Sequence, residues 1–182
     1  MKPQSILIFG PPGSGKGSQA VQLAGKLDLC HFSTGDMFRG LKEKADLDEL
    51  EQEILNTMTI DDGNLVSDEQ TIKLFGKRLD ELPDKKLLLD GNPRTENQAN
   101  QLNELVDVEF LIYLDVPDEE LVRRILDRGR VDDTEETVKK RIQIFKKDTL
   151  PILNKYSERV IKINGHQALE EVQKEIISKL KA

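Results

Sequence analysis

The sequence predicts a three-layer α/β fold: a five-stranded parallel sheet under helices, with one small helical lobe set into a connection. Three observations carry this. Apolar runs at 5–9, 29–33, 86–90, 109–115 and 159–163 are continuous rather than alternating, as in strands buried on both faces. Helical periodicities lie between them, the pattern of strands joined by crossover helices. The first run, Ser5-Ile6-Leu7-Ile8-Phe9, leads directly into Gly10-Pro11-Pro12-Gly13-Ser14-Gly15-Lys16-Gly17-Ser18. Strand, glycine-rich loop, lysine and helix in that order form the context of a phosphate-binding P-loop.

Each element has its own signal. After the loop, Ala20, Val21, Ala24 and Leu27 give the first helix its apolar stripe. The segment 34–65 is rich in charge and carries two short helical stretches without a strand between them, so it is read as an inserted lobe. Ser67 with Gln70 three residues on forms a capping box for a helix marked by Ile72, Phe75, Leu79 and Leu82. Pro117 and the acids from Asp118 to Glu120 open a helix carrying Leu121, Val122, Ile125 and Leu126. Asp133 with Glu136 is read as the cap of a long helix through Val138, Ile142, Phe145, Leu153 and Tyr156, bent at Pro151. Leu169, Val172, Ile176 and Leu180 mark the last helix.

The bulk composition narrows the function classes. A chain of 182 residues, 37% hydrophobic and 34% charged, can bury the core of one soluble domain. No apolar run approaches the ~20 residues of a membrane span, and the chain enters its first strand without a signal or transit pattern. A single cysteine, Cys30, lies in an apolar run and reads as core filler in a reduced, cytoplasmic setting, with neither a disulfide nor a zinc cluster. The net charge of −7 argues against a nucleic-acid surface. Any polyanionic ligand must therefore be met by locally clustered cations.

The loop supplies one such cluster. Its glycines allow consecutive backbone N–H groups to turn inward around a phosphate. The helix behind it offers its positive end, and Lys16 adds a mobile cation. Asp90 ends the run Leu87-Leu88-Leu89, where a carboxylate would lie beside the loop and could hold Mg²⁺ through water; the plainer reading is an acid capping the next turn. Arg94 follows four residues later, and Arg123, Arg124, Arg128, Arg130 and Arg141 cluster further on. Guanidinium forks suit phosphate oxygens, whereas Arg123, interleaved with acids, reads as part of a solvated face. His31 and His166 are isolated, and no nucleophile triad stands out. That absence suits phosphoryl transfer, which depends mainly on positioning and charge neutralisation.

Five motifs together resemble those of the adenylate kinases, in the same order and over essentially the whole chain. They are Gly10 to Ser18, Phe32-Ser33-Thr34-Gly35-Asp36-Met37-Phe38-Arg39, Asp62-Gly63-Asn64-Leu65-Val66, Leu89-Asp90-Gly91-Asn92-Pro93-Arg94, and Arg128-Gly129-Arg130-Val131-Asp132-Asp133. The resemblance accounts for Gly17, because that family carries Lys-Gly-Thr/Ser where other phosphate loops place the hydroxyl directly after the lysine. It implies a single kinase domain with a core of 1–33, 67–127 and 131–182, a nucleoside-monophosphate lobe of 34–66 and a vestigial lid of 128–130. It also implies a reversible, Mg²⁺-dependent reaction of ATP with AMP to give two ADP, in a cytoplasmic monomer without zinc.

Carried over residue by residue, the resemblance gives the donor phosphates to Gly13, Ser14, Gly15, Lys16, Gly17 and Ser18. Arg124 or Arg128 would lie on the ATP side, and the backbone near Gly165 to Gln167 would touch the ATP adenine. Thr34 and Gln98 would read the adenine of AMP, and Asn64, Leu65 and Val66 would line that base. Arg39 and Arg94 would grip the AMP phosphate, within the turn Gly91, Asn92 and Pro93. Lys16, Arg94, Arg128, Arg130 and Arg141 would carry charge on the transferred group, and Asp36 and Asp90 would order the Mg²⁺ shell.

Base choice is arguable from the same residues. The related UMP/CMP kinases, the main alternative, usually place Ala where Thr34 stands and Asn where Gln98 stands; a Gln amide can both donate to and accept from an adenine edge. A nucleotide-binding regulator that has lost transfer is the other alternative, but Lys16, Arg94, Arg130 and Arg141 are all present. Two departures from the family pattern stand out. Asn92 replaces a Phe, and only Gly129 separates Arg128 from Arg130, where relatives insert a lid. A lid excludes water, so the expectation is closure mainly through the 34–65 lobe, with less suppression of ATP hydrolysis when AMP is missing.

Overall fold

The computed structural model describes residues 1–60, 66–129 and 134–181. β1 (Gln4–Phe9), β2 (Cys30–Ser33), β3 (Leu87–Asp90), β4 (Asp107–Asp115) and β5 (Val160–Asn164) form one parallel sheet in the order β2-β3-β1-β4-β5. Each apolar run becomes a strand, with ends shifted by one or two residues.

The strands are buried on both faces, as their continuous apolar character requires. Leu7, Phe9, Leu87, Leu89 and Leu111 meet one core, and Ile6, Ile8, Leu88, Ile112 and Leu114 meet the other. α1 (Lys16–Leu27) and α9 (Leu169–Leu180) cover the second face through Ala20, Leu23, Val172 and Ile176. α4 (Asp68–Leu79), α5 (Glu96–Leu105) and α8 (Ile152–Lys155) cover the first through Phe75, Ala99, Leu102 and Ile152. The rings of Phe32 and Phe75 meet edge to face at 5.0 Å, the geometry their quadrupoles favour. Cys30 packs at the margin of this core, and burial pushes its thiol up from the ordinary value.

Between β2 and α4 the chain forms α2 (Thr34–Leu41) and α3 (Glu49–Ile60), with no strand among the described residues. Leu41, Ile54, Val66 and Leu74 give this region its own small core, seated on α4. Asp48 and Glu51 cap α3 reciprocally, each backbone N–H donating to the other's carboxylate. The fully buried Glu51 carboxylate also accepts from Lys44 and, at 2.5 Å, from Arg78 of α4. α6 (Asp118–Arg128) ends in the left-handed Gly129, and α7 (Glu135–Ile144) packs on it through Val138 and Ile142.

Several local expectations need correction. The residues of α5 carry no clear helical period, because its apolar face is thin: only Ala99 and Leu102 are fully buried apolar residues, and Thr95 caps it by accepting from the Gln98 N–H. Val21, Leu126 and Leu169 do not face the core; they are 62%, 41% and 38% exposed. Thr134, not Asp133, caps α7, its hydroxyl accepting from the Thr137 N–H; Asp133 lies outside the described residues. The Ser67 box is half made: Ser67 accepts from the Gln70 N–H, but the Gln70 side chain meets the Ser67 hydroxyl and Glu53. The long helix does not simply bend at Pro151. A π turn, Phe145–Thr149, intervenes, closed by the Leu150 N–H on the Phe145 carbonyl at 2.8 Å.

Register decides what meets at the carboxyl edge of the sheet. Asp90 pairs with Ile8 on one side and Ser33 on the other. The loop after β1, the start of α2 and the turn after β3 therefore leave the sheet side by side. The chain runs from β1 to one edge and returns across it to β4, which opens a crevice over the end of β1. Leu111, with no exposed surface at the centre of β4, should be the costly truncation. We expect Leu111→Ala to lower unfolding free energy by about 2–5 kcal/mol in denaturant titration without shifting the far-ultraviolet spectrum of the folded state.

Candidate functional site

The loop between β1 and α1 is shaped by steric demand. Gly13 has φ +84°, and a Cβ there would stand 2.8 Å from the Leu121 carbonyl of α6; only glycine meets both conditions. The Ser14 N–H closes a turn on the Pro11 carbonyl at 3.1 Å, and Gly15 takes the left-handed cap position before α1. The buried Ser14 hydroxyl has no protein partner. Ser18 is exposed on the first turn of α1. The Lys16 ammonium lies 3.5 Å from the carbonyl of Pro11.

Charge then converges from separate segments. Burial lowers the Lys16 pKa; Asp90 opposes that shift, while Arg94 and Arg128 add to it. Burial raises Asp90, against the pull of Lys16, His31 and Arg94. Arg94 is lowered by burial, with Arg141 and Arg39 adding to the shift; a guanidinium stays charged through such a shift. Lys16 and Arg94 thus act on Asp90 directly, with Arg128 in reach of Lys16, and Arg39 and Arg141 in reach of Arg94, although the chain spreads them over more than a hundred residues. Such a concentration of cations around one carboxylate suits an anion with several charges.

On the β3 side, Gly91 takes φ +88° and Asn92–Pro93 is a cis bond. The Arg94 Nε donates to the Gly91 carbonyl at 2.9 Å, and Thr149, in the π turn, donates to the Arg94 carbonyl at 2.8 Å. Asn92 is buried, and neither of its amide atoms has a protein partner. Thr34, Val66, Gly91, Arg94 and Gln98 line a cavity of about 20 Å³ with Phe38 and Thr71. Thr34 is buried with an unpartnered hydroxyl. Arg39 lies on α2, where it pairs with Asp36 and holds that carboxyl below its usual range.

The donor-side residues are arranged differently. Arg124 is drawn to Glu120 at 2.6 Å, and the hydrogen bonds of Arg123 and Arg124 pull the Glu120 carboxyl down to about 2. Arg123 is 62% exposed and also meets Asp127, as a solvated face requires. The Gln167 amide donates to the Asn164 carbonyl and to Glu175, both at 2.9 Å. The Gly165 N–H joins this loop to the Asp115 carbonyl at 2.8 Å. A larger cavity of about 510 Å³ lies beside the phosphate loop, between the end of β4, the start of α6 and the π turn. Of the segments assigned to ATP, His166 in the stretch 165–167 reaches its wall, as does Pro11 of the phosphate loop. Its wall includes Tyr113, whose hydroxyl is pushed up to about 12 by burial and then by Asp115.

Asn64, Leu65 and Arg130 lie outside the described residues. Among the others, the structure gathers Lys16, Thr34, Asp36, Arg39, Asp90, Arg94, Arg128 and Arg141 at one edge, with Gln98 at the cavity wall. It draws Arg124 to Glu120 of its own helix, and Gln167 to Asn164 of β5 and Glu175 of α9. Two supporting residues, Asp68 and Thr149, carry no motif; the Thr95-x-x-Gln98 cap was the available signal for the first, and the π turn places the second. Asp90 fits a hydrated divalent cation, because its Oδ1 is buried without a partner. Asp36 would have to share its carboxylate with Arg39. No cluster of three or more metal-ligating side chains occurs among the described residues, so such an ion would depend on water and phosphate oxygens.

Comparison with known proteins agrees with this geometry. The sequence profile described as "Adenylate kinase" matches residues 8–161. The chain is 40% identical to "Adenylate kinase 1" of Nostoc sp., over 94% of this chain and 95% of that protein. It is 39% identical to an "Adenylate kinase" of Stenotrophomonas maltophilia, over 97% of this chain and 99% of that protein. It is also 34% identical to "UMP-CMP kinase 1" of Oryza sativa subsp. japonica, over 94% of this chain and 71% of that protein. With the phosphate loop, the buried Asp90 and the converging arginines on one sheet edge, the chain belongs to the adenylate kinase family of phosphotransferases.

Proposed function

We propose that the protein transfers a phosphoryl group reversibly between ATP and AMP, yielding two ADP. The observation that carries this reading is Asp90, which lies within electrostatic reach of Lys16 on the donor loop and of Arg94 on the acceptor side. The γ-phosphorus of ATP would stand between those two cations. Its bond to the β–γ bridging oxygen breaks as a bond to an AMP phosphate oxygen forms. The attacking oxygen belongs to an ionised phosphate, so the step needs no general base. Lys16 and the N–H groups of Gly13 to Ser18 hold the donor phosphates, while Arg39 and Arg94 align the acceptor. Arg128 and Arg141, joined by Arg130, spread the charge of the transferred group. Arg124 would turn from Glu120 toward ATP, with the Gly165–Gln167 backbone against its adenine. Asp90 and Asp36 would hold a magnesium ion through water, and such an ion would supply charge neutralisation on the phosphates.

AMP is favoured over pyrimidine acceptors by Thr34 and Gln98. Both are buried side chains at the wall of the small cavity, and both can donate and accept. Val66, with Asn64 and Leu65, would close over the base beside Gly91, Asn92 and Pro93. The 34–66 lobe would supply most of the closure, because the sequence leaves 128–130 as the whole of the lid between core segments 1–33, 67–127 and 131–182. A cytoplasmic monomer acting on free nucleotides fits this reading.

The direct test offers Mg-ATP with AMP, CMP, UMP, GMP or no acceptor, and resolves the products by chromatography. Rapid ADP formation with AMP alone is expected. Faster turnover with CMP or UMP would overturn the acceptor assignment, and no transfer to any acceptor would overturn the catalytic reading. In the tube without acceptor, hydrolysis above ~1% of the transfer rate is expected from so short a lid, a limit near 3 kcal/mol of discrimination. A slower rate would show that water is excluded by other means.

The shift at Lys16 gives a pH prediction. Its pKa is lowered, so the required ammonium is lost as pH rises through a value below the ordinary lysine range of about 10.4. The alkaline limb of kcat/KM should therefore set in below the ordinary lysine range. Lys16→Arg stays charged and should abolish that limb while lowering the rate. An unchanged limb in the variant would assign it to another group.

A further inference from the structure

Asp68 is the first residue of α4, and Ser67 already caps that helix. Among the described residues, the side-chain bonds of Asp68 cross to the start of α5. Its Oδ1 accepts from the Gln98 Nε2 at 2.7 Å. Its Oδ2 accepts from the Thr95 hydroxyl at 2.7 Å and from the Asn97 amide at 3.2 Å. At the other end of the Gln98 amide, Oε1 accepts the Arg94 N–H at 2.8 Å.

These partners leave the amide one orientation. A carboxylate can only accept and a backbone N–H can only donate. Turning the amide over would set oxygen against the Asp68 carboxylate and nitrogen against the Arg94 N–H. At a site where Gln98 is 3% exposed, water cannot relieve either clash, and each lost pairing is expensive. Gln98 still has one N–H and one oxygen lone pair to offer the small cavity it lines with Thr34 and Arg94. Their order is fixed by the two locks.

A fixed order of donor and acceptor distinguishes purines by the group at position 6. An adenine edge presents a donating amino group there, with a ring nitrogen that accepts beside it. Guanine and hypoxanthine present an accepting oxygen beside a donating ring N–H, the reverse pattern. We propose that Asp68 is a positioning residue for acceptor choice, holding Gln98 in the orientation that reads a 6-amino purine monophosphate and rejects a 6-oxo one. The inference rests on the AMP reading above. It concerns a residue that contacts α5 and reaches the nucleotide only through Gln98.

The test compares wild type with Asp68→Ala, Asp68→Ser, Asp68→Asn, Gln98→Ala and the double variant Asp68→Ala/Gln98→Ala. Rates are measured with saturating Mg-ATP against AMP and IMP, alongside thermal midpoints. Serine suits a helix start yet is too short to reach Gln98, so it serves if the alanine variant folds poorly. Asparagine retains one accepting oxygen. We expect Asp68→Ala and Asp68→Ser to raise KM for AMP about tenfold, with kcat changing far less, and to cut the AMP:IMP ratio of kcat/KM by about tenfold, equivalent to about 1.4 kcal/mol. Asp68→Asn should restore most of the ratio. In the Gln98→Ala background, losing Asp68 should leave the ratio where it stands, as for residues acting through one contact. If wild type selects AMP and the ratio is unmoved in Asp68→Ala and Asp68→Ser, whatever the thermal midpoint does, Asp68 merely joins α4 to α5 and the inference fails. If wild type prefers CMP, UMP or IMP, the AMP reading fails first and takes this inference with it.

Discussion

Asp90 is a carboxylate at the last position of a strand buried on both faces, and the arrangement of the site follows from the cost of placing it there. Burial raises its pKa, and the charged form is supported by Lys16, His31 and Arg94 from three other segments. Lys16 and Arg94 are themselves desolvated: burial is the largest influence on each. In so poorly solvated a place each charge depends on the others. The whole becomes a fixed field at the sheet edge, which an incoming polyphosphate meets without first having to assemble it.

The supports around that field are uncharged and come from packing. Arg94 is gripped three times by backbone-linked bonds: its Nε on Gly91, its N–H on Gln98 and its carbonyl on Thr149. The last depends on the π turn, which inserts an extra residue ahead of Pro151 and places Thr149 against the β3 turn. Gln98 in turn is held by Asp68. A chain of hydrogen bonds thus ties α4, α5, the β3 turn and the π turn into one support for the acceptor-side arginine. By contrast, Arg39 sits in an exposed ion pair with Asp36 on its own helix, and such a pair is weak and exchanges readily with another anion; Arg124 is held by Glu120 in a part-buried one. The site therefore combines a rigid floor with a cation that can be recruited.

Much of this was legible in the sequence. The five strands, the phosphate loop and the positions of Asp90 and Arg94 follow from continuous apolar runs and residue types at short spacing, and Gln98 follows from the family resemblance. α5 was not legible, because ten residues with two buried apolar side chains give almost no periodicity. Val21, Leu126 and Leu169 carried helical periodicity yet face solvent, because period alone does not say how wide a buried stripe the neighbouring layer will cover. Thr149 and Asp68 were also hidden, since their roles depend on partners 55 and 30 residues away.

By itself, the sequence determined the class of fold, the place of the phosphate loop and the chemistry available at the sheet edge. Those properties are local: apolar continuity, glycine backbone freedom and the charge carried by each side chain. Tertiary structure alone decided which cations share a field, which amide orientation faces the cavity and which polar groups are buried. The physical reason is that desolvation and hydrogen-bond direction are properties of an enclosure. The register that sets Asp90 between Ile8 and Ser33 builds that enclosure from segments far apart in the chain.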